Sequence, residues 1–221
     1  MMGVVFDFDG VIVDSEPIHQ AALRRAANEV GLDFTHEEYL ATYIGFDDRD
    51  VLRVLARDRG KALSHDENQR FHQAKRRHFM REVSEGRVRA FPGAVELIRA
   101  AAARGPIAVC SGARTHEIDP ILEHLGVRSL MATVVSADDV AASKPAPDPY
   151  TLTARRLGQS PRALVAIEDT PAGIESALAA GYAVAAVEHS FTADDLTRAN
   201  HVFPCIARVS IDALASLLAD H

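Results

Sequence analysis

Short apolar segments alternate with helical stretches from Pro92 to the end of the chain. Each apolar segment has the length of a buried strand and is separated from the next by residues with helical patterning. Strands that alternate with helices require crossover connections, so the pattern predicts an α/β fold with a parallel sheet. The predicted strands are 106–111, 132–137, 163–169, 182–188 and 201–205, and the predicted helices are 94–104, 115–125, 148–158, 171–180, 193–199 and 211–219.

A further strand of this sheet is predicted near the start of the chain, where it ends in two aspartates. Residues 4–8 read VVFDF and favour a strand that is buried on both faces. Asp7 and Asp9 lie at its end, and Gly10 follows as a turn former. Positions two residues apart on a strand share one face and lie about 7 Å apart along the chain. Two like charges at the end of an apolar strand indicate that a positively charged group or ion binds there.

Residues 15–87 interrupt the alternating pattern with a segment that contains helix starts and no convincing strand. Two capping boxes, Thr35-x-x-Glu38 and Ser64-x-x-Glu67, begin helices within it. We therefore predict an α/β core domain of residues 1–14 and 88–221 and an all-helical cap domain of residues 15–87, inserted after the first strand. Ligands of open parallel sheets bind beyond the carboxyl ends of the strands, where this insert emerges, so we expect the cap to act as a lid.

Composition narrows the class of partner. The net charge is −7, which is unsuited to nucleic acid. No apolar run approaches the roughly 18 residues of a membrane span, and Asp7 and Asp9 interrupt the only early apolar stretch, so no signal peptide is predicted. Two cysteines, Cys110 and Cys205, do not form a disulfide framework. We expect a cytoplasmic monomer that binds a small molecule, with no nucleic-acid or membrane partner.

Polar residues follow the predicted strands at the edge of the sheet where ligands bind. Ser111-Gly112 ends one strand, Glu168-Asp169 ends another, and Lys144 lies in the loop that follows the predicted strand 132–137. Together with the two aspartates of the first strand, they bring carboxylates, a hydroxyl and an ammonium group to one rim. Carboxylates at such density repel each other unless a cation lies among them. An all-oxygen ligand set suits Mg²⁺, so the sequence predicts a magnesium site.

The order of these motifs resembles the haloacid dehalogenase superfamily. The segments "FDGVIVDSEPIH" and "KPAPDPY", with the early helical segment, further resemble the subgroup of β-phosphoglucomutases and sugar-phosphate phosphatases. The resemblance covers essentially the whole chain and implies a Rossmann-like core with a helical cap. The matching residues are Asp7-Phe8-Asp9-Gly10-Val11, Ser111, Lys144-Pro145 and Glu168-Asp169.

The resemblance implies a role for each catalytic residue. Asp7 is expected to be the nucleophile that forms an aspartyl-phosphate. Asp9 is expected to protonate the leaving alcohol and then to accept a proton from the attacking water. Ser111 and Gly112 are expected to bind the phosphoryl oxygens, and Lys144 to neutralise their charge.

The resemblance also implies the ligands of Mg²⁺. These are the carboxylate of Asp7, the main-chain carbonyl of Asp9 and the carboxylate of Asp169. Glu168 is expected to bind the ion directly or through a water molecule.

Substrate contacts in the helical segment are less strongly indicated. By the same resemblance, His19, Arg49 and Lys75 fall near positions that orient substrate or couple the lid. For His19, packing at the lid hinge is the alternative. Residues 70–89 carry an excess of Lys and Arg, which indicates either a solvated helical face or cations that meet an anionic substrate.

The predicted activity is that of a Mg²⁺-dependent phosphatase that acts on a small phosphorylated metabolite, with a sugar phosphate as the expected substrate. The alternative is a phosphomutase, which hands the phosphoryl group to a second sugar hydroxyl and so uses the same chemistry at Asp7 and Asp9. A receiver-type signalling domain is much shorter, and an inactive binding protein would not need every one of these side chains. The chain carries no motif of a P-loop, a zinc protease or a serine hydrolase elbow.

Overall fold

A computed structural model describes residues 1–43, 46 and 48–219 of the protein. Its backbone contacts divide the chain into two compact units, one of Met1–Asp14 with Arg89–His221 and the other of Ser15–Val88. The function of the second unit as a cap stays a prediction. None of the helices in the described residues is both long enough and apolar enough to cross a membrane.

The first unit is built on a six-stranded parallel sheet, which confirms the predicted α/β fold class. Its strands are β1 Gly3–Phe6, β4 Ile107–Cys110, β5 Thr133–Val135, β6 Leu164–Glu168, β7 Ala183–Val187 and β8 His201–Phe203. They lie in the order β5-β4-β1-β6-β7-β8, so the first strand is central, with β4 and β6 as its neighbours. The remaining two, β2 Val13–Asp14 and β3 Arg89–Ala90, form a separate antiparallel pair.

The central strands are held by apolar packing on both faces of the sheet. Every residue of β1, β4, β6 and β7 is buried. On one face, alternate residues such as Val5, Ala108 and Ala166 pack with Tyr150 and Tyr182. Helices of this unit are α5 Ala94–Ala102, α6 Thr115–His124, α7 Asp148–Leu157, α8 Pro171–Ala179 and α9 Ile211–Ala219.

The prediction of a helix over 193–199 is wrong, because these residues form turns. The Asp195 carboxylate accepts hydrogen bonds from the Thr192 main-chain N–H at 3.2 Å and from its hydroxyl at 2.7 Å. The Asn200 side chain accepts another from the N–H of Val184 in β7 at 2.7 Å. The main-chain bonds run to the third residue back, as from the Asp195 N–H to the Thr192 carbonyl at 3.0 Å, so the segment forms turns and not an α-helix.

The second unit is helical, as its patterning predicts. Its helices are α1 Glu16–Glu29, α2 His36–Glu38, α3 Asp48–Asp58 and α4 His65–Ser84, with a π-helical turn at Tyr39–Tyr43. Both predicted capping boxes are present, at Thr35 with Glu38 and at Ser64 with Glu67. The hydrogen bonds of Glu67 to the Ser64 backbone and to Lys61 lower its pKa to about 2.

Candidate active site at the carboxyl ends of the strands

The ends of three neighbouring strands supply the candidate site. Asp7 follows β1, Ser111 follows β4, and Glu168 and Asp169 end β6. The backbone ladder continues through two of these positions, because Asp7 N–H donates to the Ile167 carbonyl and Ser111 N–H donates to the Val135 carbonyl, each at 2.9 Å. The same sheet that forms the core therefore fixes the backbone of the site.

Lys144 joins the strand ends through its ammonium group. Its Nζ lies 2.9 Å from Asp7 Oδ1 and 2.6 Å from Glu168 Oε1, and it donates to the Cys110 carbonyl at 3.0 Å. Burial disfavours the charge, but the attraction of Asp7 and Glu168 outweighs it and raises the pKa of Lys144 above its ordinary value. The lysine is therefore cationic and held within the acidic cluster.

Three carboxylates crowd around this lysine. One oxygen each of Asp7, Glu168 and Asp169 lies within 4.8 Å of the others. Burial, and then repulsion by Asp7, raises the pKa of both Glu168 and Asp169 above their ordinary values. One ammonium group does not balance three carboxylates, so this arrangement favours a further cation.

Asp169 has an oxygen that points to the same conclusion. Its Oδ2 accepts a hydrogen bond from the Ser190 hydroxyl, whereas its buried Oδ1 has no hydrogen-bond partner among the described residues. A buried polar atom without a partner is rare and calls for an explanation. The charge, the oxygen donors and this unpartnered atom fit a divalent metal ion.

Glu168 is fully buried and is held by more than the lysine. Tyr150 donates its hydroxyl to Glu168 Oε1 at 2.6 Å, and the Thr170 hydroxyl lies 3.5 Å from Oε2. Thr170 also caps helix α8, since its Oγ1 accepts from the Gly173 N–H at 3.0 Å. A Cβ on Gly173 would overlap the Glu168 carboxylate, so glycine lets the positive end of α8 approach this anion.

The loop after β1 is a tight turn that brings Gly10 against Asp169. The Phe8 carbonyl accepts from the N–H groups of Ile12 and Val13, at 2.9 and 3.1 Å. Gly10 has φ +76°, and a Cβ there would overlap Asp169 Oδ2. Asp9, which is half-buried, forms a backbone bridge with Val13 within this turn. The turn former predicted from the sequence is therefore required by both conformation and space.

Ser111 and Gly112 differ in their surroundings. The Ser111 hydroxyl is buried and accepts from the Ala113 N–H at 3.0 Å. Gly112 is exposed, and a Cβ built on it would meet no described atom within 4 Å. Open space beside a buried hydroxyl suits a ligand. The neighbouring Cys110 is a buried apolar residue, and burial raises its pKa to about 12, which is unsuited to a nucleophile.

Two of the predicted substrate residues of the helical unit, His19 and Lys75, have packing roles there. His19 of α1 lies against the Phe79 ring, with the ring centroids 4.7 Å apart. Lys75 is buried, forms an ion pair with Asp48 at 3.2 Å and lies over the same ring. Arg49 is exposed in α3. A contact of these three residues with substrate stays a prediction.

The basic stretch 70–89 is largely neutralised within its own unit. Arg77 pairs with Glu29 at 2.8 Å and Arg81 with Glu85 at 2.7 Å. Arg87 pairs with the buried Glu82 at 3.1 Å. These pairs favour the interpretation as a solvated helical face.

Two residues of the site carry no signal in the sequence. His189 and Ser190 follow β7 in a polar turn, and neither belongs to a motif considered above. The position of Ser190 at the end of a parallel strand is the only feature that could have indicated it, because strand ends share one edge of the sheet.

A parallel sheet with a cluster of carboxylates and a buried lysine at the carboxyl ends of its strands is an arrangement that could hold a metal ion. The profile of haloacid dehalogenase-like hydrolases matches residues 4–187. The chain belongs to the haloacid dehalogenase-like hydrolase family, as the order of its motifs indicates.

Individual relatives agree with this assignment. Over 191 residues the chain is 31% identical to the fructose-1-phosphate phosphatase of Escherichia coli strain K12, covering 81% of this chain and 92% of that protein. The crystal structure of a mutant CbbY from Rhodobacter sphaeroides, in complex with xylulose-(1,5)bisphosphate, has a TM-score of 0.82 at 25% identity and covers 97% of this chain and 99% of that one.

A mutase has a similar fold. The β-phosphoglucomutase of Clostridium difficile has a TM-score of 0.81, covering 100% of this chain and 98% of that one, at 22% identity. At this identity the likeness shows the fold alone, so the comparisons do not favour the mutase alternative.

Proposed function

We propose that the protein is a Mg²⁺-dependent phosphatase that hydrolyses a small sugar phosphate through an aspartyl-phosphate on Asp7. The observation that carries the proposal is the buried cluster in which Lys144 Nζ lies between Asp7 Oδ1, at 2.9 Å, and Glu168 Oε1, at 2.6 Å. This arrangement presents a carboxylate nucleophile next to a fixed positive charge. The 31% identity to a fructose-1-phosphate phosphatase supports a sugar phosphate as substrate.

In the proposed first step, an oxygen of Asp7 attacks the phosphorus and the bond to the leaving oxygen breaks. Asp9 gives its proton to that oxygen, so the sugar leaves as a neutral alcohol. Lys144, together with the Ser111 hydroxyl and the backbone at Gly112, binds the phosphoryl oxygens where negative charge is concentrated. In the second step Asp9 takes a proton from water, which attacks the phosphorus and releases inorganic phosphate and free Asp7.

Asp7 and Asp169 would hold the metal ion with their carboxylates, and Asp9 with its main-chain carbonyl. Glu168 already accepts hydrogen bonds from Lys144 and Tyr150 through Oε1, so its other oxygen would serve the ion directly or through water. When bound, Mg²⁺ offsets the charge of the carboxylates and of the phosphoryl oxygens.

Metal binding is expected to stabilise the fold through Asp169. At a hundredfold excess over the dissociation constant, a ligand stabilises by about 2.7 kcal/mol, which corresponds to a rise in Tm of roughly 5–10 °C for a chain of this size. We expect this rise on adding MgCl₂ to the wild type and its loss in Asp169→Asn, measured by calorimetry. Asp119→Asn is the control, because that carboxylate pairs with Arg128 at 2.6 Å. An equal rise in Asp169→Asn would contradict the assignment.

The activity is tested by phosphorus NMR of the protein with Mg²⁺ and a panel of esters. The panel contains fructose 1-phosphate, xylulose 1,5-bisphosphate and β-glucose 1-phosphate with a trace of its bisphosphate, together with p-nitrophenyl phosphate as a general substrate. We expect inorganic phosphate to be released. Conversion of the 1-phosphate to the 6-phosphate without release would show a mutase, and no release from any ester would contradict the proposal.

A cytoplasmic location and a monomeric state belong to the same proposal. Free thiols at both cysteines are in keeping with the cytoplasmic location. Size-exclusion chromatography with light scattering tests the monomeric state, and we expect one chain per particle.

A further inference from the structure

We infer that His189 and Ser190, in the loop after β7, set the affinity of the site for its metal ion by holding Asp169 and the Gly10 turn. This inference rests on the proposed function, because it concerns the ion that the phosphatase would use. Neither residue has a part in the chemistry outlined above. Both are positioning residues, which act through Asp169 and through the backbone of the turn that carries Asp9.

Ser190 fixes the carboxylate of Asp169. Its hydroxyl donates to Oδ2, while the buried Oδ1 lacks a partner within the described part of the chain. Repulsion from Asp7 and Glu168 would otherwise favour rotation of this carboxylate away from them. The hydrogen bond opposes that rotation and keeps Oδ1 available as a ligand.

The position of Ser190 indicates a specific contact and not general packing. Ser190 is an exposed residue, and its hydroxyl donates to the carboxylate of a buried residue, Asp169. A Cβ on Gly10 would lie only 2.9 Å from Ser190 Oγ, so the serine also borders the turn after β1. A single hydroxyl thus contacts the proposed metal ligand and limits the space of the neighbouring turn.

His189 holds the backbone of that turn. Its Nε2 accepts from the Ile206 N–H at 3.3 Å, so Nδ1 carries the proton and donates to the Gly10 carbonyl at 2.7 Å. The imidazole also stacks on the Phe91 ring, with centroids 3.9 Å apart and planes 21° apart. Ile206 and Phe91 therefore hold the imidazole from two other segments, and the imidazole in turn holds Gly10, the residue next to Asp9.

These contacts predict an effect on metal affinity that exceeds any effect on the fold. Partners that orient a metal ligand contribute about 10- to 100-fold to affinity. Ser190→Ala is expected to weaken Mg²⁺ binding about tenfold, because binding must then also order the Asp169 carboxylate. Ser190→Thr retains the hydroxyl and is expected to restore the affinity.

The test is isothermal titration calorimetry of Mg²⁺ into the full chain without substrate. Thr192→Ala is the matched control, since this hydroxyl lies in the same loop and donates to Asp195 at 2.7 Å, not to the site. We expect the wild type, Thr192→Ala and Ser190→Thr to bind Mg²⁺ with similar affinity. Ser190→Ala should bind it about tenfold more weakly. The Mg²⁺ concentration for half-maximal phosphatase activity should rise in Ser190→Ala, with the rate at saturating Mg²⁺ retained.

The outcomes separate this inference from the proposed function. If Ser190→Ala binds Mg²⁺ as tightly as the wild type, or if Thr192→Ala is equally weakened, the inference is wrong while the activity stands. If the wild type shows Ser190-dependent binding but releases no phosphate from any ester, the proposed activity is wrong while the positioning role stands. His189→Asn adds an independent variant: its amide can still donate to Gly10, so it should bind the ion more tightly than His189→Ala.

Discussion

Asp7→Asn is expected to lose phosphatase activity by at least about 10³-fold while keeping its fold. The amide has the shape of the carboxylate but is a poor nucleophile, so the first step of the proposed reaction fails. Lys144 keeps its contact with Glu168 at 2.6 Å, and one of three mutually repelling carboxylates is neutralised. The free energy of unfolding is therefore expected to change little. Phosphate release and a thermal unfolding curve, measured on the same preparation, check both parts.

Asp14→Asn provides the control for this variant. Asp14 is an exposed aspartate seven positions further along, in β2. It should retain wild-type turnover if the loss belongs to Asp7 alone. Intact-protein mass spectrometry after rapid quenching should detect a phosphoryl adduct on the wild type and none on Asp7→Asn. More than a tenth of the wild-type activity in Asp7→Asn would rule out Asp7 as the nucleophile.

Lys144→Met is expected to reduce both stability and activity. Removal of one partner from a buried ion pair destabilises by about 3–5 kcal/mol, because the remaining charges stay buried without compensation. The Lys144 side chain is 11% exposed and contacts two carboxylates, so this case applies. Turnover should fall by about 10²- to 10³-fold, as when a group that stabilises developing negative charge is removed. Denaturant unfolding and steady-state kinetics measure the two effects.

Lys61→Met is the matched change in the helical unit. Lys61 pairs with Glu67 at 3.0 Å and donates to the Val30 carbonyl, but its side chain is 30% exposed, so screening by water limits the loss to about 1–2 kcal/mol. Its turnover should not change. Equal losses of stability in the two lysine variants would show that the buried cluster of the core has no special dependence on its cation.

The sheet and the main part of the site could be predicted from the sequence because both depend on local patterns. Apolar segments of strand length that alternate with helices predict parallel strands, and parallel strands place their carboxyl ends together. Asp7, Ser111 and Asp169 therefore lie at one edge as a consequence of topology. The capping boxes at Thr35 and Ser64 were predictable for the same reason, since each uses residues three positions apart.

Features that depend on contacts between distant segments could not be predicted. The helical pattern of 193–199 gives way to turns, and the Asn200 side chain ties the end of this segment to the N–H of Val184 in β7. The contacts of His189 with Gly10 and of Ser190 with Asp169 join positions far apart in the chain, and no spacing rule links them. Substrate contacts of His19, Arg49 and Lys75 stay predictions, because a resemblance of motifs does not determine which side chain meets a ligand.

The antiparallel pair of β2 and β3 also determines how the chain leaves the first unit and returns to it. Asp14 and Arg89 are directly opposite each other in this pair, and such Cα atoms are about 5 Å apart. The chain therefore leaves the first unit at Asp14 and returns to it at Arg89, directly beside the point where it left. A helical segment of another length could therefore join residues 14 and 89 without a new crossing of the sheet. The strand ends that carry Asp7, Ser111 and Asp169 would then keep their places whatever the length of that segment.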